Sequence, residues 1–404
     1  VAADLRIEHV RAAAATLADV ISRTPVEESA ALSRIAGTRV VLKCENLQRG
    51  GSFKIRGAYL RMSRLTQEQQ ARGVVAASAG NHAQGVALAA AALGIDAVVY
   101  MPLGAALPKI AATKGYGATV RMHGSTVDEA LVEAYAEAER TGRTLIHPFD
   151  HLDIVTGQAT LGLEIAEQVP DVRTVIVPTG GGGLLAGVST ALHGALGPHV
   201  TIVGVQAEGA AAYPDSLAQG RPVALAQMQT MADGIAIGCP GEVPLDIVAR
   251  EVQWVETVSE EELSQALLLL TERAKLVVEP SGAAGVAALR HHPGRWEGPV
   301  VVVLSGGNVD PLVLMRVLQH GLVAAGRYLQ VKVRTKDTPG HLARLLAELA
   351  AQGGNVLNVG HVRTDPTLAV DEVDIAVEIE TRGAEHCTEV IERLHAAGYQ
   401  VLPG

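Results

Sequence analysis

Gly51-Ser52-Phe53-Lys54-Ile55-Arg56-Gly57-Ala58 places a lysine where an extended segment gives way to a helix. A lysine there can form a Schiff base with an aldehyde, and the helix N-terminus beside it supplies N–H donors and positive potential. Most lysines beside glycines are surface residues, so the octamer gains meaning from its company. Three more glycine-rich segments follow, each where an apolar strand should hand over to a helix.

Strands are expected at Val40–Cys44, Val74–Ala77, Ala97–Met101, Thr119–Met122 and Thr144–His147. Further ones are expected at Thr174–Val177, Thr201–Gln206, Val252–Thr257 and Val300–Leu304. Several are apolar throughout, as strands buried on both faces should be. Their alternation with helical patterns predicts an α/β fold with one or two parallel, doubly wound sheets. Ligands then gather at the carboxyl ends of the strands.

The texture changes near Gly326. An alternating strand over Arg327–Lys336 is followed by the turn Asp337-Thr338-Pro339-Gly340 and an amphipathic helix to about Gln352. Strands near Asn355–Arg363 and Val370–Glu380, a helix over Glu385–Ala397 and a last strand Tyr399–Leu402 complete a β-α-β-β-α-β module. It reads as a separate ferredoxin-like domain over residues 326–404, after a first domain over 1–325 whose smaller lobe lies near 45–150.

Composition narrows the function. The chain has 404 residues, 48% hydrophobic and 19% charged, enough for a large core and too apolar for disorder. A formal net charge of -10 argues against nucleic acid or an anionic membrane as partner. Cys44, Cys239 and Cys387 lie far apart without ligand spacing, so they read as reduced thiols, not disulfides or a zinc site. With Asp4, Arg6, Glu8 and Arg11 near its start, no signal-peptide apolar region is expected, and a cytoplasmic location is expected. Residues 174–207 carry no Asp, Glu, Lys or Arg, but Pro178, Gly180–Gly183 and Gly197-Pro198 cut that run too short for a membrane span.

The glycine-rich segments carry the chemistry. Ser78-Ala79-Gly80-Asn81-His82 should open a helix with N–H groups arranged for a small anion, Asn81 adding an amide. Thr179-Gly180-Gly181-Gly182-Gly183-Leu184 lets consecutive N–H groups converge on a phosphate. No Lys-Ser/Thr follows, which excludes a nucleotide P-loop, and the spacing is not G-x-G-x-x-G. Ser305-Gly306-Gly307-Asn308 sets a neutral hydroxyl at a strand end, either against a ring nitrogen or in an ordinary turn. Glu279-Pro280-Ser281-Gly282-Ala283 is either a cap or a carboxylate in the site. A Schiff-base lysine, a phosphate cradle, an anion loop and a ring-nitrogen partner are the parts of a pyridoxal phosphate site.

Through about residue 320 the chain resembles the fold-type-II pyridoxal phosphate enzymes, which include tryptophan synthase β, cysteine synthase, serine racemase and threonine ammonia-lyase. Ser52–Ala58, Ser78–Gly85, Gly157–Glu164 and Ser305–Asn308 are most similar to the threonine ammonia-lyases (threonine dehydratases). The tail resembles an ACT regulatory domain through its Asp-x-Pro-Gly turn. The resemblance implies a two-lobed catalytic domain with pyridoxal 5'-phosphate as cofactor. It implies that Lys54 holds the cofactor, that Phe53 packs beside its ring and that Asn81 binds its phenolic oxygen. Gly180, Gly181, Gly182, Gly183 and Leu184 would bind the phosphate, Ser305 would face the pyridine nitrogen, and Ser78, Ala79, Gly80, Asn81 and His82 would bind the substrate carboxylate. Asp337, Pro339 and Gly340 would receive a branched-chain amino-acid effector, isoleucine or valine, in a homodimer or tetramer.

The implied reaction is dehydration and deamination of L-threonine to 2-oxobutanoate and ammonia, with L-serine giving pyruvate. The alternatives are a serine dehydratase or racemase and a non-catalytic amino-acid sensor. Serine racemases have a second acid where this chain has Ala79, which favours elimination. Some relatives bind a divalent cation through a glutamate and an aspartate. Glu208 matches the first, but Pro214 stands in place of the second, so no metal is expected.

Overall fold

A computed structural model describes residues 4–403. Ten strands precede Ser305. They are β1 (Val26–Glu28), β2 (Val40–Cys44), β3 (Val74–Ala77), β4 (Ala97–Met101), β5 (Thr119–Met122), β6 (Thr144–Leu145), β7 (Thr174–Pro178), β8 (Thr201–Ala207), β9 (Trp254–Val258) and β10 (Val300–Leu304). The larger sheet has the order β1-β2-β10-β7-β8-β9 and is parallel except for its β1–β2 edge pair. The smaller has the order β5-β4-β3-β6 and is parallel throughout.

Alternation along the strands explains the all-apolar runs. Val41, Val175, Val177, Val301 and Val303 join one core cluster with Ile165, Leu185 and Val188 from the helices Leu152–Gln168 and Gly183–Leu196. The intervening Ile176 and Val302 lie against Gly285 of the helix Pro280–His291, so both faces are covered. A Cβ on Gly285 would stand 2.8 Å from Val302 Cγ1.

The fold departs from the sequence expectations at element ends. β6 stops at Leu145, because the His147 ring turns back to accept the Asp150 N–H at 2.8 Å. β9 begins at Trp254, and β1 was not anticipated, its three residues Val-Glu-Glu being too short for a period. The helix that Ser78–His82 should open begins at Asn81, so the end of the glycine loop itself forms its first turn.

Contacts divide the chain into two compact units after Leu314, within the helix Pro311–Ala324. The second unit adds β11 (Tyr328–Lys336), β12 (Asn355–Val362), β13 (Glu372–Glu380) and β14 (Gln400–Pro403) in the antiparallel order β12-β13-β11-β14. With the helices His341–Ala351 and Ala384–Ala396 it is a βαββαβ unit closed by its own core of Val333, Leu345, Ile375, Ile379, Val390 and Leu394. In its first turn, Asp337 accepts from Arg363 Nε at 2.7 Å, which lowers the Asp337 pKa. Gly340, with φ +91°, caps the helix His341–Ala351.

Candidate active site

β2, β10 and β7 are neighbours in the larger sheet and run parallel, so the segments leaving their carboxyl ends converge. The segment after β2 carries Lys54, the one after β10 Ser305 and the one after β7 the four glycines. Ser52 bridges Gly306, and the Phe53 N–H donates to the Ser305 carbonyl at 3.2 Å. These contacts tie the lysine segment to the serine turn. Gly51 (φ +72°) permits this approach, since a Cβ there would fall 2.2 Å from Asn308 Oδ1.

Lys54 is the first residue of the helix Lys54–Ser63, and its Nζ donates to the Pro148 carbonyl at 3.0 Å. Burial pushes its pKa down to about 8, with Glu279 opposing the shift. A substantial neutral fraction at physiological pH is what an amine nucleophile or base requires. The Phe53 ring lies beside it, 5.1 Å from Nζ to the centroid.

The loop from Ser78 to His82 leaves β3. Ser78 Oγ accepts from the Gly80 N–H at 3.1 Å. His82 Nε2 lies 2.7 Å from the Ile146 carbonyl. That carbonyl only accepts, so Nε2 carries the ring proton. Burial, then the Lys54 charge, push the His82 pKa down to about 3, so the ring is neutral and ties the loop to the end of β6.

The four glycines meet protein as well as ligand space. A Cβ on Gly181 would lie 2.4 Å from the Phe149 ring, and one on Gly182 (φ +92°) 1.7 Å from the Tyr213 hydroxyl. The Gly181 carbonyl accepts from the Gly241 N–H at 3.2 Å and the Tyr213 hydroxyl at 3.4 Å. Peptide planarity then points the Gly182 N–H the other way, at the start of the helix Gly183–Leu196.

Glu279 precedes the helix Pro280–His291, but its side chain does not cap that helix. It accepts from Asn81 Nδ2 at 2.5 Å instead and lines the cavity, so it is no helix cap. Asn308 Nδ2 donates to Asn81 Oδ1 at 2.8 Å and to the Gly50 carbonyl at 2.7 Å. Lys109 and Asp233 form an ion pair nearby.

Phe53, Lys54, Ser78 to His82, Gly180 to Leu184 and Ser305 all line one cavity of about 760 Å³. His147, Pro148, Phe149, Lys109, Asp233 and Glu279 line it too. The segment Ile146-His147-Pro148-Phe149-Asp150 was missed, although its place at a strand end is the signal that marks a site in a parallel sheet. Glu208 belongs to no metal-binding group, and no cluster of three or more His, Cys, Asp or Glu suited to a metal occurs among the described residues. No helix among them is long and apolar enough to cross a membrane.

Pyridoxal phosphate fits this set. It needs an amine of lowered pKa for its aldehyde, side-chain-free backbone at a helix start for its phosphate, and room for a ring between them. Lys54, Gly180–Gly183 and the cavity meet those needs. Residues 17–306 match the family described as "Pyridoxal-phosphate dependent enzyme". An L-threonine ammonia-lyase of Thermotoga maritima is 43% identical over 397 residues, 98% of this chain and 99% of the relative. Among solved structures, a serine racemase from maize superposes with a TM-score of 0.73 at 34% identity, over 79% of this chain and 98% of that one. A threonine deaminase isoform from Solanum lycopersicum superposes with a TM-score of 0.73 at 35% identity, over 78% and 93%. With a half-buried lysine of lowered pKa, a glycine cradle and a strand-end serine converging on one cavity, and with relatives matched over its length, the chain belongs to the pyridoxal-phosphate dependent enzymes of fold type II.

Proposed function

We propose that the chain removes water and then ammonia from L-threonine to give 2-oxobutanoate, and treats L-serine likewise to give pyruvate. The observation that carries this reading is likeness to an L-threonine ammonia-lyase over 98% of the chain, tail included. Pyridoxal phosphate, when bound, supplies a conjugated ring that takes up the electron pair left at the substrate Cα. Lys54 would hold it through Nζ, and the same atom, when free, is the base that takes the Cα proton. Asn81 would donate to its phenolic oxygen, Gly180 to Leu184 would hold its phosphate, and Phe53 would pack along its ring. Ser305 is a hydroxyl and far less acidic than a protonated pyridine, so it would not keep the ring nitrogen protonated. That limits the lifetime of charge at Cα and favours loss of the β-hydroxyl. Ser78 to His82 would hold the substrate carboxylate.

Serine racemisation is a second reading, favoured by the likeness to the maize enzyme. Ala79 argues against it, since a methyl group lining the cavity has no proton to return to the opposite face. Steady-state assays on L-threonine, L-serine and D-serine separate the two. Formation of 2-oxobutanoate with negligible D-serine supports elimination, and substantial D-serine from L-serine overturns it. Residues 326–404 are assigned to an ACT-like regulatory domain of a homo-oligomer, with isoleucine or valine as effector near Asp337, Pro339 and Gly340.

A further inference from the structure

The hydrogen bonds around Asn81 have a direction, and it can be read from one end. The Gly50 carbonyl only accepts, so the Asn308 atom facing it at 2.7 Å is the amide nitrogen. The same nitrogen faces Asn81 at 2.8 Å, so the Asn81 atom there is the carbonyl oxygen. The Asn81 amide is thereby turned, and its nitrogen points at Glu279 Oε1, 2.5 Å away. Oε1 must accept. The other carboxyl oxygen, Oε2, is buried and has no hydrogen-bond partner. Oε2 is unmet in either protonation state, but an unmet neutral O–H costs far less than an unmet share of a buried negative charge.

We propose that Glu279 is a proton-holding residue of the site: it rests as a neutral acid with its proton on Oε2, and the chain Asn308–Asn81–Glu279 fixes that choice of oxygen. The proposal rests on the cavity being the catalytic site, since Glu279 lines it. The charges around it agree. Burial comes first in raising its pKa to about 7, and Asp233 raises it further, while Lys109, the Asn81 hydrogen bond and Lys54 lower it. These neighbours come from three other elements: Asp233 from a short 3-10 turn, Lys109 from the helix Leu107–Gly115, and Lys54 from the helix that begins with it. The neutral acid keeps negative charge away from a ligand oxygen held at Asn81, and loss of its proton puts that charge beside it.

Infrared difference titration tests this on the full-length holoenzyme and on the same protein after removal of the cofactor. The expected result is a protonated-carboxyl C=O band that disappears as pH rises through neutrality and is absent in Glu279→Gln. Asn81→Ala should carry the band to higher pH, because the lost donor stabilised the carboxylate. In turnover, Glu279→Gln should keep within about tenfold of wild-type kcat and lose a pH limb near neutrality, while Glu279→Ala should lose kcat without pH dependence of its own. A band that titrates in the ordinary carboxylate range, or one that survives in Glu279→Gln, overturns the proposal. The cofactor-free titration reads the proton without turnover. A failed substrate assignment therefore leaves that result standing, and a failed Glu279 assignment leaves the substrate assays unaffected.

Discussion

Lys54 was legible in the sequence because its strand-to-helix junction comes together with three further glycine-rich strand ends, and the junction alone would not have singled it out. Lys54→Ala should lose essentially all turnover while retaining some cofactor through the glycine loop, which a cofactor absorbance titration alongside the activity assay checks. Near-normal turnover would remove the lysine from the site. Neighbouring groups were less legible. Glu279 was seen as one of two things, and the second, a site carboxylate, needs Asn81, which lies 198 residues away in the chain. No local pattern encodes that distance. Phe149 was missed because it reads as an ordinary loop aromatic until the Gly181 backbone is brought beneath its ring. His82 has a measurable consequence for stability. Its folded pKa, about 3, lies below its ordinary 6.5, so its contribution is complete above 6.5. That contribution is lost as pH falls from 6.5 toward 3, because the unfolded chain binds the proton first. His147, lowered to about 4 by burial, acts in the same direction. Denaturant midpoints should therefore drop between pH 7 and pH 4, and less steeply in His82→Gln. Equal slopes in the two proteins would assign the acid lability elsewhere.

The helix Lys54–Ser63 owes its position to its third residue. Arg56 is fully buried, with Nε 2.8 Å from Glu45 Oε2 and NH1 2.7 Å from Glu164 Oε1. Glu164 also accepts from buried Lys43 at 2.6 Å, and Glu45 from Thr24 at 2.5 Å. Two cations and two carboxylates thus neutralise one another where β2, this helix and the helix Leu152–Gln168 meet. Arg56→Ala would leave Glu45 and Glu164 with one buried cation between them, a loss of about 3–5 kcal/mol. Chemical denaturation should show it, and Arg56→Lys should recover part but not the two parallel bonds that Nε and Nη2 make to Glu45 at 2.8 Å each. A loss below about 1 kcal/mol would mean the carboxylates rehydrate. None of this network was read from the sequence, although Arg56 and Glu164 both lie in quoted motifs. The reason is physical: ion pairing depends on which strand ends meet, and periodicity reports only which face is apolar. The strands themselves were legible because a both-faces-buried strand is apolar at every position, as Val300–Leu304 is. β1 escaped because its burial is partial and its length is three residues.

At the scale of the whole molecule the question is what the tail does for the cavity. Its β-α-β-β-α-β order was legible because β11 and β13 alternate apolar and polar residues, one face packing on two helices and the other open. An effector was not, since an amino acid docking at backbone groups of a turn would be declared by no side chain. The turn offers two handles: Asp337 already engaged by Arg363, and Gly340 in a left-handed conformation with nothing within 4 Å of a Cβ built on it. If isoleucine or valine docks at this turn, its carboxylate lies by the helix start at Gly340, where the N-terminal dipole favours negative charge. Gly340→Asp would place a competing carboxylate there. It would also strain the backbone at φ +91°, so the control is Gly340→Asn, which carries similar strain without the charge. Coupling between such a site and the catalytic cavity typically amounts to about 1–3 kcal/mol, a shift of roughly 5–150-fold in affinity. Wild-type enzyme should therefore change its threonine KM when isoleucine or valine is added. Gly340→Asp should lose that response with kcat unchanged, and Gly340→Asn should retain most of it. Equal loss in both variants would trace the effect to the turn's conformation. An undiminished response in Gly340→Asp would place the effector elsewhere. Calorimetry showing that neither amino acid binds the wild-type protein would remove both ligands from the assignment and leave the tail an assembly element.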